Sequence, residues 1–307
     1  MTVGGVDFDV ITEAGVVAHV RAALRAGTGG RVITPNVDIL RLAARDATLR
    51  AYINDADLVV ADGMPVVWAS RLSHGRDQQL PERVAGADLI WSLSAACAID
   101  GRRIMLVGGV PPARGPVGDL VDIAAADRAG VVASDGGGVA AGVVGGVVAG
   151  DADAVRDWSA AIHLPGGAGR AAAVLTTRYP GLVVAGAVSP PFGFLDDPLA
   201  CERLRTSVVD ARPDLVFVGL GFTKQERVIE MLAPDLPHAW FLGCGAAIDF
   251  VDGDQRRAPT WMRRGGLEWA HRLAREPGRL AGRYLRHDLP YALALLTRAA
   301  CHLPGRR

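Results

Sequence analysis

Leu215-Val216-Phe217-Val218-Gly219-Leu220-Gly221-Phe222-Thr223-Lys224-Gln225-Glu226 and Trp240-Phe241-Leu242-Gly243-Cys244-Gly245-Ala246-Ala247-Ile248-Asp249-Phe250 decide the fold class of this chain. Each opens on a short apolar run rich in β-branched or aromatic residues and empties at once into glycines. Runs bounded this way read as strands buried on both faces, which belong to parallel sheets covered by helices. Glycine past the strand end lets a phosphate approach the backbone, so the pair points to a nucleotide site.

The same grammar recurs upstream at Arg31-Val32-Ile33, Leu58-Val59-Val60-Ala61, Ile104-Met105-Leu106-Val107 and Leu182-Val183-Val184-Ala185. Six such runs separated by helix-like stretches predict an α/β fold with a mostly parallel sheet flanked by helices. Ligands in such sheets sit beyond the carboxyl ends of the strands. Those tips read Thr34-Pro35-Asn36, Asp62-Gly63, Gly108-Gly109, Ser189 onward, Gly219 to Glu226 and Gly243 to Asp249.

With 307 residues and 50% hydrophobic content, the chain can bury a sizeable core. Its formal charge is zero but unevenly spread: residues 1–252 carry a net −8, while 253–307, with 12 arginines against 4 acids, carry +8. This divides the chain into an α/β core over 1–252 and a basic helical C-terminal appendage over 253–307. Residues from about 113 to 170 are dominated by glycine, alanine and valine, including Gly136-Gly137-Gly138, and read as an insertion within the core.

Cys97, Cys201, Cys244 and Cys301 are far apart, without metal-ligand spacing, which favours a reducing, cytoplasmic compartment. No secretory leader is evident over Met1 to Asp9. No stretch has the ~20 uncharged apolar residues that cross a bilayer, so any membrane contact is expected to be peripheral. Nucleic acid is not an expected partner, because the core is acidic and aromatic residues do not alternate with the basic ones.

Several tip residues carry candidate chemistry. Asp62 can take a proton from a substrate hydroxyl, or it can cap the helix beginning near Pro65. Thr34 and Asn36 can hydrogen-bond a sugar or phosphate, or can cap the next helix. Lys224, the one lysine beside 32 arginines, can neutralise a diphosphate, and Gln225 can read a base edge. The Asp55/Asp57 and Asp151/Asp153 pairs read as structural or solvated acids rather than metal ligands, and the histidines show no ligand spacing, so no protein-bound metal is expected. In the appendage, Arg272, Arg275, Arg279, Arg283 and Arg286 fall on one face of a helix that Pro277-Gly278 interrupts. That basic, amphipathic tail fits an anionic membrane surface or a diphosphate, or else a solvated face docked on the core.

Taken together the residues resemble the WecG/TagA/CpsF family of bacterial glycosyltransferases. The resemblance rests on Thr34-Pro35-Asn36, Ala56-Asp57-Leu58-Val59-Val60-Ala61-Asp62-Gly63, Glu82-Arg83-Val84-Ala85-Gly86-Ala87-Asp88-Leu89 and Leu106-Val107-Gly108-Gly109. It continues through Tyr179-Pro180-Gly181-Leu182, Val218 to Gly221 with Lys224-Gln225-Glu226, Gly245 to Phe250, Arg257-Ala258-Pro259, and Gly266-Leu267-Glu268-Trp269 with Arg272-Leu273.

The resemblance implies a Rossmann-like fold of the GT-E type. It implies an inverting, metal-independent transfer of an N-acetylhexosamine, N-acetylmannosamine or its uronic acid, from a UDP-sugar to a polyprenyl-diphosphate-linked GlcNAc at the cytoplasmic membrane face. No cofactor is expected. Asp62 becomes the expected general base, with Thr34 and Asn36 in its pocket. Gln225 and Asp249 are expected to contact the UDP-sugar, in a pocket with Gly108, Gly109, Gly219, Gly221, Lys224, Glu226 and Gly245. Arg83, Arg272, Arg279 and Arg283 are expected to meet the acceptor or diphosphate.

Two departures stand out: about 55–60 residues intervene where the family runs straight from Gly-Gly into the next helix, and Thr223 replaces the usual proline before Lys224. A catalytically silent nucleotide-sugar-binding protein and a transferase to a soluble acceptor are the competing classes. A homo-oligomer is compatible with all of them.

Overall fold

A computed structural model describes residues 1–75, 78–112, 166–255 and 257–301, without the side chains of Thr260, Arg264 and Arg279. An N-terminal hairpin pairs β1 (Thr2–Val3) with β2 (Val6–Asp7) through Gly4-Gly5, whose φ values of 62° and 84° suit the tight turn. Strands of two residues leave no alternation to read, so the hairpin went unforeseen in the sequence.

The main sheet contains β3 (Gly30–Ile33), β4 (Leu58–Val59), β5 (Arg103–Gly108), β6 (Val183–Val188), β7 (Leu215–Gly219) and β8 (Trp240–Gly243). All pairs are parallel, in the order β4-β3-β8-β7-β5-β6. Each of the six apolar runs overlaps a strand, although β4 takes only Leu58 and Val59 of its run and β6 continues past its run to Val188. The chain builds outward from β3 to β4, restarts on the other side with β5 and β6, and returns to fill the centre with β7 and β8. Because the strands run the same way, their carboxyl tips share one edge.

Alternation along the central strands sorts side chains to two faces. Leu215 and Phe217 join Trp240, Leu242, Ile104 and Leu106 beneath the helices Glu13–Ala26, Gly86–Asp100 and Gly167–Arg178. Val216, Val218, Met105, Val107 and Phe241 face the helices Pro198–Ala211 and Lys224–Leu232. Burying a side chain such as Phe217, which is 0% exposed, contributes about 1.5–3 kcal/mol. A third cluster joins Ile33, Val59 and Ala61 to Leu40, Ile53, Val66 and Val67, and includes Leu295 and Ala299 from the chain's end.

The appendage thus rests on the core. Its helices are Thr260–Arg264, Glu268–Arg275, Pro277–Arg283 and Leu289–Cys301, the last two joined by the π-helical turn Tyr284–Asp288. The expected interruption falls at Glu276, with Pro277 opening the next helix, where its missing N–H costs nothing. Tyr291 donates to the Leu40 carbonyl at 3.2 Å, pinning the last helix. All four cysteines are free. The expected insertion, as far as residue 165, and the Asp151/Asp153 pair lie outside the described residues; the helix beyond starts at Gly167, inside the bound of about 170 expected for the insertion.

Candidate active site

Asp62 stands just past β4, and its backbone N–H donates to the Pro35 carbonyl at 3.1 Å, tying the tips of β3 and β4 together. Its carboxylate does not cap the following helix Met64–Ser73, whose cap position is Gly63 and has no side-chain bond. Instead Arg83 Nη1 reaches Asp62 Oδ1 at 3.4 Å. Burial pushes the Asp62 carboxyl up to about 6; Arg83 opposes the shift, Glu268 adds to it, and Arg272 and Arg257 oppose it. The side chain remains 30% exposed.

Around Asp62 lies a network that alternates acids and arginines. Arg83 also donates to Asp88 Oδ2 at 2.9 Å and to Glu268 Oε2 at 3.1 Å. Asp88 accepts from Arg257 at 2.5 and 2.9 Å and from Arg263 at 3.0 Å. Burial pushes the Asp88 carboxyl up, but Arg257, Arg83 and Arg263 outweigh it and hold the group below the usual carboxylate range. Asp88, Arg257, Arg263 and Glu268 were not singled out as site residues from the sequence. For Asp88, Arg257 and Glu268 the signal available was their position inside the quoted Glu82–Leu89, Arg257–Pro259 and Gly266–Leu273 blocks, where charged residues interrupt apolar ones; Arg263 lies outside those blocks.

At the β3 tip, Thr34 is buried, and Asn36 caps the helix Val37–Ala43 by accepting the Ile39 N–H at 3.1 Å. The capping role expected as an alternative is therefore filled by the Asn36 oxygen, while its amide NH2 has no partner among the described residues. Asp57 and Asp55 are structural: the first accepts the Arg31 N–H at 2.8 Å and the second pairs with the Arg31 guanidinium at 2.6 Å.

The glycines divide into two kinds. At Gly108, with φ 134°, an added Cβ would lie 2.3 Å from the Gly219 carbonyl oxygen, and at Gly219 one would meet Ile248 at 2.9 Å. A Cβ on Gly109 would likewise strike the backbone of Gly167 and Ala168 at 2.9–3.0 Å. These three glycines close-pack the tips of β5 and β7 against their neighbours. By contrast, nothing lies within 4 Å of a Cβ on Gly221 or Gly245, so a ligand can reach the backbone there.

The residues after Gly221 turn inward more than the sequence implied. Gln225 and Glu226 are both 5% exposed. The Gln225 amide oxygen accepts the Gly245 N–H at 3.0 Å and its NH2 donates to Glu226 at 3.0 Å, so its polar atoms hold the β8 loop in place. Glu226 is pushed up to about 7 by burial and accepts the Thr223 N–H at 3.1 Å. Thr223 itself has φ 68°, which the usual proline there cannot adopt, so this turn is built differently. Lys224 is exposed.

Asp249 is pushed up to about 6 by burial, with Asp252 and Asp254 adding to it. The Val110 N–H bonds it, while its Oδ1 is buried without a partner. An unpaired buried acceptor facing the β5 tip is suited to a ligand hydroxyl. Beside it, Arg272 lies 4.9 Å over the Phe250 ring and close enough to Asp62 to act on its ionisation. Arg283 does not join this group: it pairs with Asp38 and Asp288, each at 3.8 Å. The expected single stripe of arginines therefore splits, with Arg272 inward, Arg283 latched to Asp38, and Arg275 and Arg286 exposed. The Arg279 side chain lies outside the described residues. Among the described residues no group of three or more His, Cys, Asp or Glu side chains could hold a metal ion.

The glycosyl transferase WecG/TagA/CpsF family matches residues 1–115 and 158–303. N-acetylglucosaminyldiphosphoundecaprenol N-acetyl-beta-D-mannosaminyltransferase of Bacillus subtilis strain 168 is 26% identical over 251 residues, covering 82% of this chain and 73% of that protein. The protein of the same name from Bacillus spizizenii is 24% identical over 264 residues, covering 86% and 78%. That from Staphylococcus aureus strain MRSA252 is 24% identical over 270 residues, covering 87% and 82%.

Proposed function

Because the chain belongs to the glycosyl transferase WecG/TagA/CpsF family, and is thus a glycosyltransferase, we propose that it moves an N-acetylhexosamine, N-acetylmannosamine or its uronic acid, from a UDP-sugar to polyprenyl-diphosphate-linked GlcNAc with inversion. Asp62 is the general base of this reading. The acceptor hydroxyl oxygen attacks the anomeric carbon, its proton passes to the Asp62 carboxylate, and the bond from that carbon to the diphosphate oxygen breaks with its electron pair leaving on UDP. One in-line displacement of this kind inverts the centre and calls for no covalent nucleophile. Arg272 and Arg83 supply the positive charge that meets the departing diphosphate, the task a metal ion performs in other transferases. Asp249 Oδ1 offers an acceptor to a donor hydroxyl, and the open backbone at Gly221 and Gly245 lets the nucleotide sit close.

The observation that carries the reading is the elevated, partly exposed Asp62 carboxylate among arginines drawn from both core and appendage. A carboxyl raised toward neutral pH is a stronger base than a solvated one while still ionised at pH 8. The test is UDP release from a panel of UDP-N-acetylhexosamines, with and without a polyprenyl-diphosphate-GlcNAc analogue. Acceptor-dependent release with one donor supports the proposal and names the donor. Donor hydrolysis or binding without acceptor dependence refutes it.

We further infer peripheral attachment to the inner face of an anionic membrane. No helix among the described residues is long and apolar enough to cross a bilayer. Trp261, 67% exposed, and the exposed Trp269, Leu285, Leu289 and Leu293 share the appendage with the exposed Arg275 and Arg286. Tryptophan and leucine beside arginine fit the lipid interface. Flotation with phosphatidylglycerol vesicles tests this: Trp261→Ser with Leu293→Ser should reduce it several-fold, and unchanged flotation refutes this face.

A further inference from the structure

Arg83 is shared among three carboxylates, and the sharing is uneven. Its Nη2 is committed to Asp88 at 2.9 Å. Its Nη1 serves two acids at once: Glu268 Oε2 at 3.1 Å and Asp62 Oδ1 at 3.4 Å. The Asp62 contact is thus single and long, where an unshared arginine and carboxylate would close to about 2.8 Å through two parallel bonds. Glu268 is itself fixed from the other side, its Oε1 lying 3.5 Å from Arg257 Nε, while the rest of that guanidinium grips Asp88. Glu268 belongs to the first turn of the appendage helix Glu268–Arg275, and Arg83 and Asp88 belong to the core. The same helix carries Arg272 one turn later.

We propose that Glu268 is a positioning residue for the transfer: by occupying Arg83 Nη1 it holds that guanidinium off Asp62, leaving the carboxylate free to take the acceptor proton. This rests on the reading of Asp62 as the base. The charged groups facing Asp62 are Arg83 from the core and Arg257, Glu268 and Arg272 from the appendage. Glu268 is the one acid of that set, so its removal shifts the whole balance toward ion pairing. Docking of the appendage therefore delivers two things together, an arginine near the leaving group and an acid that unpairs the base.

The experiment is the pH dependence of kcat for UDP release, with the full chain, saturating UDP-N-acetylhexosamine and a polyprenyl-diphosphate-GlcNAc analogue. In Glu268→Gln, Arg83 closes on Asp62, and the acidic limb moves down by about one pH unit or more, as for a carboxylate gaining an arginine partner. The plateau above it falls roughly threefold or more, because a less basic group is a weaker general base. Glu268→Asp, which keeps the charge, leaves the limb close to that of the parent protein. A uniform loss in Glu268→Gln with the limb unmoved, or a limb moved equally in Glu268→Asp, overturns the proposal. Asp62→Asn separates the two layers: an inactive Asp62→Asn with an unmoved Glu268→Gln limb removes only the positioning role, whereas an active Asp62→Asn removes the base assignment itself.

Discussion

Lowering the pH should switch the enzyme off through Asp62 well above the range in which an ordinary aspartate protonates. With its carboxyl near 6 rather than the usual 3.8, about 9% of molecules carry the ionised base at pH 5, against about 94% for a solvated aspartate. At saturating donor, kcat at pH 5 is therefore expected to be about tenfold below its value at pH 8. The diphosphate of a bound donor adds negative charge beside Asp62 and moves the limb higher, never lower. Asp249 and Glu226 are raised into the same range, to about 6 and about 7. Measuring kcat at saturating donor keeps their effect on donor binding out of the limb.

Stability runs the opposite way to activity. A carboxyl whose folded pKa lies above its unfolded value binds its proton more readily in the native state. Its contribution to stability is fully present below about 3.8 and is lost as pH rises through about 6. Loss of turnover at pH 5 through this group thus comes with a firmer fold, which circular dichroism melts at pH 5 and pH 8 can verify. Asp62→Asn should lower kcat by about 10²–10⁴-fold while melting at a higher temperature than the parent at pH 8. A kcat flat from pH 8 to pH 5, or an Asp62→Asn variant turning over at the parent rate, would refute the reasoning.

Three other substitutions probe the scaffold. Gly108→Ala drives a Cβ to 2.3 Å from the Gly219 carbonyl oxygen at a φ of 134°, so a loss of about 1–3 kcal/mol or more is expected in urea unfolding; a neutral result would mean the tips of β5 and β7 can separate. Asp88→Asn strips the carboxylate from Arg83, Arg257 and Arg263 and should cost about 2–4 kcal/mol at pH 7, allowing for the group's partial exposure. Because the Asp88 carboxyl is held below its usual 3.8, that difference should shrink as pH falls below about 4, and a pH-independent difference would point to packing instead. Gln225→Ala leaves the Gly245 N–H and Glu226 without their amide partner; about 1–3 kcal/mol of stability should go, and a larger loss of donor affinity than of stability would show that Gln225 also touches the nucleotide.

What could be read beforehand follows from which signals are local. The six strands were legible because burial on both faces writes itself as an uninterrupted apolar run, and Leu215–Gly219 and Trp240–Gly243 are buried at every position. The strand tips were legible because a parallel sheet sends every carboxyl end to one edge. The spatial order β4-β3-β8-β7-β5-β6 was not, since it depends on which side each crossover takes. Nor was the direction in which Gln225 points: a glutamine after glycines looks like a ligand contact, and only the approach of Gly245 to 3.0 Å reveals an internal bond. Arg83 and Glu268 lie 185 positions apart, and no spacing rule connects such a pair. Arginine periodicity from 272 to 286 suggested one basic face, but the break at Glu276 and the π-helical turn Tyr284–Asp288 rotate successive arginines to different neighbours.

The division of charge between core and appendage takes on a different sense once those neighbours are known. A +8 tail on a −8 body invites the view that the whole tail serves a membrane. Yet Arg257 and Arg263 are bound to Asp88, and Arg283 to Asp38, all across the boundary between the two parts. Much of the asymmetry is therefore internal complementarity, with core acids receiving appendage arginines where the last helices fold over the strand tips. Arg272 is placed by a different partner, the ring of Phe250, which leaves its charge less neutralised than that of the arginines gripping Asp88. Arg275 and Arg286 are exposed, as are Trp269 and Leu285. The basic residues thus fall into three groups by geometry: those that fasten the appendage, Arg272 near Asp62, and those that are exposed. A single bulk measure, the net charge of a segment, merges all three, and only the partner of each guanidinium separates them.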